Sequence, residues 1–373
     1  MKFKRRHFFS LSTSSLLACL TNPFLLNAVT KKEFPLFFSA GTDKEGKYFF
    51  SGFNVYGKEN FRTPLMTRGH GVAQRTNFHE VAAFARRPGK YILVVNALSG
   101  ERVAQIESIG GRHFFGHGIY SKDGRWLFAT ESEYDSGRGV LGVYDAADGY
   151  RLVDTLPTHG VGPHEVDLLA DGKTLVVANG GILTHPDSGR MKLNLDVMDS
   201  SLAYIEMNSG KQLEAQRLDP NLQLMSIRHL AVGPDDNVAV VMQYQGSRRH
   251  LLPLVGFQKG SGSIDMLSAP ETVGYRMKNY CGSVTFDLSG KLIGVSSPRG
   301  GIITFWSVAK KRFLSHLEVK DGCGVAAENT PESFRITNGF GQILRHFPLI
   351  NKTEILTTVS DTLWDNHLLL ACG

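Results

Sequence analysis

Histidine and cysteine recur along this chain in one setting. His70, His117, His164, His229, Cys281, Cys323 and His367 each sit where a short apolar run begins, and successive members are 42 to 65 residues apart. Imidazole and thiolate are the side chains that suit zinc, copper and iron. Seven such groups cannot all reach one ion, but three or four gathered at a narrow mouth can hold one, and a larger centre is also open to them. Carboxylates stand beside two histidines: Glu80 follows His79 and Glu165 follows His164. Either could ligate a metal or orient a ring. Arg68, Arg112, Arg228 and Arg299 lie just before or within strand ends. They could bind an anion such as a carboxylate-rich chelate, or form salt bridges between neighbouring structural units. The histidines have a plainer alternative too, because a ring beside glycine can serve structure alone by bonding to neighbouring backbone.

The elements around these residues repeat. Gly116-His117-Gly118 and Pro163-His164-Glu165 open near-copies of one unit. Each continues with a short apolar run, an Asp-Gly turn (Asp123-Gly124, Asp171-Gly172) and a second apolar strand, Trp126 to Thr130 and Thr174 to Ala178. A recurrence near 40–50 residues with several short strands per unit marks a β-propeller blade. Further units open at Arg68-Gly69-His70-Gly71, Ile227-Arg228-His229-Leu230, Tyr280-Cys281-Gly282-Ser283 and Gly322-Cys323-Gly324-Val325. Two pieces remain. The stretch from Phe34 to Arg62 supplies about three strands, and Asn366-His367-Leu368-Leu369-Leu370 supplies one. Together they complete a seventh blade, which removes the open sheet edge. The expected fold is therefore all-β, a seven-bladed β-propeller spanning residues 31–373 as a single domain and closed by pairing of the N- and C-terminal strands. The first strand of each blade should be innermost, so the recurring slot points at one place on the axis. Thr184 to Ser200 interrupts the third blade without strand periodicity and is a candidate functional loop on one rim. Ser247 to Ser263 also reads as a loop.

Residues 1–30 read as a targeting segment. Lys4-Arg5-Arg6-His7-Phe8-Phe9-Ser10 is a twin-arginine pattern ahead of a modestly apolar stretch, Leu11 to Leu26. Leu26-Asn27-Ala28 is a plausible cleavage site, and Leu16-Leu17-Ala18-Cys19 is a weak lipoprotein box. Ser, Thr, Asn and Pro break the apolar stretch, and no later segment is apolar enough for a transmembrane span. The formal charge of +6 includes Lys2, Lys4, Arg5 and Arg6 of this segment, which leaves roughly +2 for the rest. That balance argues against a nucleic acid partner. The expected location is the periplasm, reached by the twin-arginine route.

Other motifs carry less. Gly137-Arg138-Gly139-Val140-Leu141-Gly142 fits GxGxxG but precedes a strand, so it offers no helix N-terminus to a pyrophosphate. There is no GxSxG elbow and no Cys-x-x-Cys pair. Beyond the leader the cysteines are Cys281, Cys323 and Cys372, an odd number that is not a disulfide framework, although Cys281 and Cys323 could pair across adjacent blades.

RGHG (68–71), FARRPGKY (84–91), GRHFFGHG (111–118), THGVGPHE (158–165), ANGGILTHPDSGR (178–190), SIRHLAV (226–232) and SSPRGG (296–301) resemble a bacterial family of twin-arginine-exported proteins of unknown function. The resemblance covers nearly the whole chain after the leader. It implies a seven-bladed propeller and a place beside imelysin-like periplasmic iron-uptake proteins as partners, and hence a role in iron handling. It carries no catalytic assignment. A second, architectural similarity is to nitrous-oxide reductase, which also presents propeller histidines to a copper centre; the cupredoxin domain of that enzyme is missing here. The expected function is binding of a transition metal or its chelate at the channel mouth, with iron first and copper as the alternative, in metal acquisition. An interaction scaffold with structural histidines is the second reading, and a metal-dependent propeller oxidoreductase or hydrolase is the third.

Overall fold

Runs of Val, Ile, Leu and Phe only four to eight residues long, cut by Gly- and Asp-rich turns, are too short for helices and pair with their sequence neighbours. In the computed structural model, which describes residues 37–189 and 191–371, they form seven four-stranded antiparallel sheets. The first blade is Gly69–Arg75, Glu80–Ala85, Tyr91–Asn96 and Arg102–Glu107, in that order from the axis outward. The next five open with Arg112–Tyr120, Pro163–Leu168, Met225–Val232, Ser283–Phe286 and Gly322–Ala327. The seventh is built from both ends of the chain. Its inner strand is Leu363–Leu370, followed outward by Phe37–Thr42, Tyr48–Phe53 and Glu59–Leu65. Phe37 pairs with Leu370 and Thr42 with Leu363. The seven inner strands touch one another in a closed ring, each against the inner strand of the next blade.

Burial falls from the axis outward. The second and third strands of a blade are almost continuously buried, as in Tyr91–Asn96 and Thr174–Asn179, while fourth strands such as Arg151–Pro157 and Lys352–Thr358 are mostly exposed. Charged and polar side chains on those outer strands blunt the one free edge of each sheet. The apolar side chains meet between blades rather than in one centre. Phe38, Phe50 and Phe61 of the seventh blade, for example, pack on Val81, Ala83 and Leu93 of the first.

One expectation changes in detail. The segment 247–263 contains the strand Val255–Lys259, which pairs with Asn237–Tyr244 and buries Phe257. Its flanking glycines and Pro253 hide a strand only five residues long. The segment 184–200 is indeed irregular, with two short 3-10 turns, Pro186–Ser188 and Leu195–Val197. It joins the second and third strands of the third blade. The twin-arginine pattern, the cleavage site, the lipoprotein box and Cys372 all lie outside the described residues. Among the described residues no helix is long and apolar enough to cross a membrane.

Candidate metal centre

The inner strands that carry a histidine depart from regular pairing at or beside it. Register shifts fall between Gly69 and Val72, Phe114 and Gly118, and Pro163 and Glu165 in the first three blades. The closing strand shifts between Trp364 and Leu368, opposite Ala40. These are β-bulges, which leave extra residues unpaired and re-aim their side chains. His70, His117, His164 and His367 all lie inside a bulge. In the fourth blade the shift falls at Arg228, and His229 follows it.

The consequence is a packed group of imidazoles on the axis. His70 lies 4.7 Å from His117 and 4.5 Å from His367 between ring centroids, and His164 lies 4.6 Å from His229. His70 lies 6.2 Å from His229. All five rings are buried. Glycine makes this approach possible. A Cβ on Gly71 would fall 2.4 Å from the Gly116 carbonyl oxygen and 2.8 Å from His117 Nδ1, and one on Gly116 would fall 2.8 Å from His70 Cδ2. The Gly-His and His-Gly pairs are thus reciprocal spacers between two blades.

Glu165 organises one side of the group. Its Oε1 lies 3.2 Å from His117 Nδ1, and its Oε2 lies 3.0 Å from His229 Nδ1 while accepting from the Leu230 N–H at 3.1 Å. Burial works to raise the pKa of this carboxyl, but the His117 and His229 rings outweigh it and hold the group well below the usual carboxylate range. With Nδ1–H of His117 donating to the carboxylate, Nε2 is left as a lone-pair donor, the arrangement that fixes the tautomer of a metal-ligating histidine. Among the described residues that Nε2 has no hydrogen-bond partner, and neither do His70 Nδ1, His164 Nδ1 and His367 Nε2. Buried polar groups are normally hydrogen-bonded, so four such nitrogens in one place are available as ligand atoms. Burial, reinforced by the neighbouring histidines, holds His70, His164 and His367 well below the ordinary imidazole pKa, and burial also lowers His229. The rings are therefore neutral near pH 7, the form that ligates a metal. Two sets offer ligand atoms within 4.8 Å of one another: His70, His117 and His164, and His117, Glu165, His229 and His367.

The group separates two cavities. His70, His164 and His229 line one of about 400 Å³, which is ringed by basic side chains including Arg228 and Arg299. His117, His367, Glu165 and Asp167 line another of about 170 Å³. The inner strands run from the first to the second, because residues at or before each histidine border the larger cavity and residues at or after it border the smaller. Burial raises Asp167 to about 6.

Other candidates lie elsewhere. Cys281 and Cys323 are free thiols, so the pairing expected as possible between them is not formed. The Cys281 sulfur lies 3.9 Å from the Leu254 carbonyl and from Ser297 Oγ, and the Cys323 sulfur lies 3.3 Å from the Trp364 carbonyl. Both pack in apolar clusters between blades, where burial pushes Cys281 up to about 12 and raises Cys323 further still. Neither belongs to the ligand sets, and the ring of seven slots becomes a group of five. Arg68 forks onto Asp365 at 2.5 and 3.1 Å, and Arg112 bonds to Glu133 at 2.6 Å. These two arginines do not line the larger cavity, and they serve as ties between or within blades. Glu80 pairs with Arg75 at 2.9 Å and accepts from Tyr150 Oη, away from the axis. Arg86, Arg87, Lys192, Arg248 and Lys278 were not among the sequence candidates and do line the larger cavity.

One substitution tests the spacer geometry. Gly71→Ala would press a methyl against the Gly116 backbone and His117, with overpacking costs of about 1–3 kcal/mol. Gly110→Ala, whose added methyl would meet nothing within 4 Å, should leave the urea midpoint unchanged. Equal midpoints for the two variants would remove the close-approach argument.

The fold and the site together define a class: a seven-bladed propeller whose axis is filled by histidines held from behind by one glutamate. The chain belongs to the family DUF1513, described as proteins of unknown function, whose model matches residues 63–371. Among solved structures it is similar to hydrazine synthase of Kuenenia stuttgartiensis, with a TM-score of 0.60 and 14% identity over 91% of this chain and 99% of that one. A likeness at that identity shows the fold alone. No curated protein matches the chain.

Proposed function

We propose that this propeller binds a first-row transition metal on His70, His117 and His164, and that it serves metal acquisition. One observation carries the reading: His70 Nδ1, His117 Nε2 and His164 Nδ1 are buried, have no hydrogen-bond partner among the described residues, and belong to residues whose ligand atoms lie within 4.8 Å of one another. Glu165 holds His117 from behind, and His229 and His367 crowd the site. Three imidazoles leave coordination positions open toward the larger cavity, as in sites that exchange water or ligand. Imidazole accepts iron, copper, nickel or zinc. Iron is the first choice because the family resemblance points to iron handling, and copper is the alternative. The twin-arginine pattern at Arg5-Arg6 supports export to the periplasm, where imelysin-like iron-uptake proteins would be its neighbours. The second reading, a scaffold with structural histidines, draws on the Glu165 bridge and the Gly71–Gly116 packing.

The test uses the full chain without a polyhistidine tag. Metal content after native export is measured by mass spectrometry, and melting is followed with iron(II), copper(II) or zinc(II) and with a chelator. Saturation at 100 times the Kd should add about 2.7 kcal/mol of stability, or roughly 4 °C in Tm. His117→Ala with His164→Ala should abolish the shift while leaving a folded propeller. His316→Ala, on an outer strand, should keep it. A wild-type chain that shows no metal-dependent shift, with a double variant that fails to fold, would transfer the histidines to the scaffold reading.

A further inference from the structure

The larger cavity carries a charge pattern that the histidines do not explain. Strand order places its walls. In each four-stranded blade the loops between the second and third strands lie at the end where the inner strand begins. Arg86 and Arg87 come from that loop of the first blade. Lys192 comes from the irregular 184–200 segment of the third, and Arg248 from the corresponding loop of the fourth. Arg299 stands in the same loop of the fifth, and Lys278 just before that blade. Arg228 is buried on the floor beside His229. Among the described residues no aspartate or glutamate lines the cavity; its remaining polar walls are amides and phenols, among them Gln243, Asn279 and Tyr280. Burial and then Arg228, Arg299 and Arg87 lower the pKa of Lys192, which shows these cations converging on one space.

The geometry points to a small polycarboxylate as the ligand of this cavity, seated on the histidine floor with its arms on the surrounding guanidinium and ammonium groups. A volume of about 400 Å³ is that of a small-molecule site. Positive charge contributed by four different blades suits an anion whose charges are spread over several arms, more than a single compact oxyanion. Arginine forks pair with carboxylates in bidentate fashion. The ligand's free oxygens would face His70 and His164. This inference rests on the proposed metal site for one consequence only: a polycarboxylate there would fill the open coordination positions and bind together with the metal. The segment 184–200 then has a role, because it carries Lys192 to the rim.

The probe is citrate, titrated calorimetrically into the full chain, metal-stripped and metal-loaded, at low ionic strength. The stripped chain should bind citrate, and the loaded chain should bind it at least tenfold more tightly. Lys192→Glu with Arg299→Glu, both exposed positions on the rim, should weaken binding at least tenfold with melting unchanged. Inorganic phosphate should compete poorly. Metal binding that proceeds normally while citrate binds neither form would overturn the anion site and leave the metal reading in place. Citrate binding that depends on the two cations in a chain that takes up no metal would support the anion site and sink the metal reading. Phosphate binding as tightly as citrate would overturn the multi-armed ligand.

Discussion

A chain that stops at residue 362 should not fold. The missing strand Leu363–Leu370 is the inner strand of the seventh blade. Its loss removes Trp364 and Leu368 and exposes the Phe37, Phe49 and Phe53 face they cover; Trp364 packs 5.4 Å from the Phe53 ring and 6.0 Å from Phe49. At about 1.5–3 kcal/mol for each large apolar side chain returned to water, these few residues approach the 5–15 kcal/mol that holds a typical domain together. The charge partners suffer as well. Asp365 is buried against Arg68, and Ser39 Oγ–H donates to the His367 carbonyl at 2.8 Å. The inner strand of the sixth blade would also lose its neighbour. The truncated protein should appear in the insoluble fraction or be digested quickly by protease. A soluble truncation that melts cooperatively at the wild-type temperature would show that the ring does not depend on this strand.

Acid should destabilise the propeller well before ordinary carboxylates titrate. His70, His164, His229 and His367 are lowered by burial, and burial also lowers His113 and His346 to about 4 each. A histidine whose folded pKa lies below its unfolded value takes up its proton in the unfolded chain first. Its stabilising contribution is present above about pH 6.5 and is lost as pH falls toward the folded value, at about 1.4 kcal/mol per pH unit for each group. Two carboxyls work the other way. Burial raises Glu131 to about 7 and Asp167 to about 6, so their stabilising contribution is present at low pH and is lost as pH rises through those values. Six histidines outweigh two carboxyls. Urea unfolding in the presence of chelator should therefore lose several kcal/mol between pH 6.5 and pH 5, by roughly this slope. A flat stability across that interval would mean the axial rings are already protonated or hydrated in the folded protein. His113→Phe should reduce the slope without touching the axis.

Much of the fold is legible locally. Asp123-Gly124 and Asp171-Gly172 mark tight turns, and the apolar runs on either side have no partner closer than each other. Ring closure is legible from what is left over: three strands at one end of the chain and one at the other. The axial slot is only partly legible. The histidines reach the axis through bulges, and nothing in a strand's composition announces how many residues a bulge will take in. Cys281 stands before its strand proper, and Cys323, though inside the bulge between Gly322 and Val325, turns its sulfur toward the Trp364 and Thr337 carbonyls. A small apolar thiol gains more from the space between blades than from a polar axis. Arg68 was a candidate anion ligand because its partner Asp365 is 297 residues away, beyond any local pattern. Arg86, Arg87, Lys192, Arg248 and Lys278 escaped notice for the opposite reason. Each sits in an ordinary polar loop, and only the alternation of four strands per blade reveals that these loops share one end of the molecule.

The closing strand also sets an order of events during synthesis. His367 is carried by the last strand of the ring, and its carbonyl meets a serine made 328 residues earlier. A ribosome that has released the first five blades has delivered four of the five axial rings, but neither the fifth nor the wall that His367 gives the smaller cavity. Contacts this distant in sequence form late and slowly. The first strands of the seventh blade must wait with an unpaired edge until Leu363–Leu370 has been made, the period in which such edges invite aggregation and holding by chaperones. A chain arrested before Leu363–Leu370 would hold an incomplete set of rings and lack one wall of the smaller cavity.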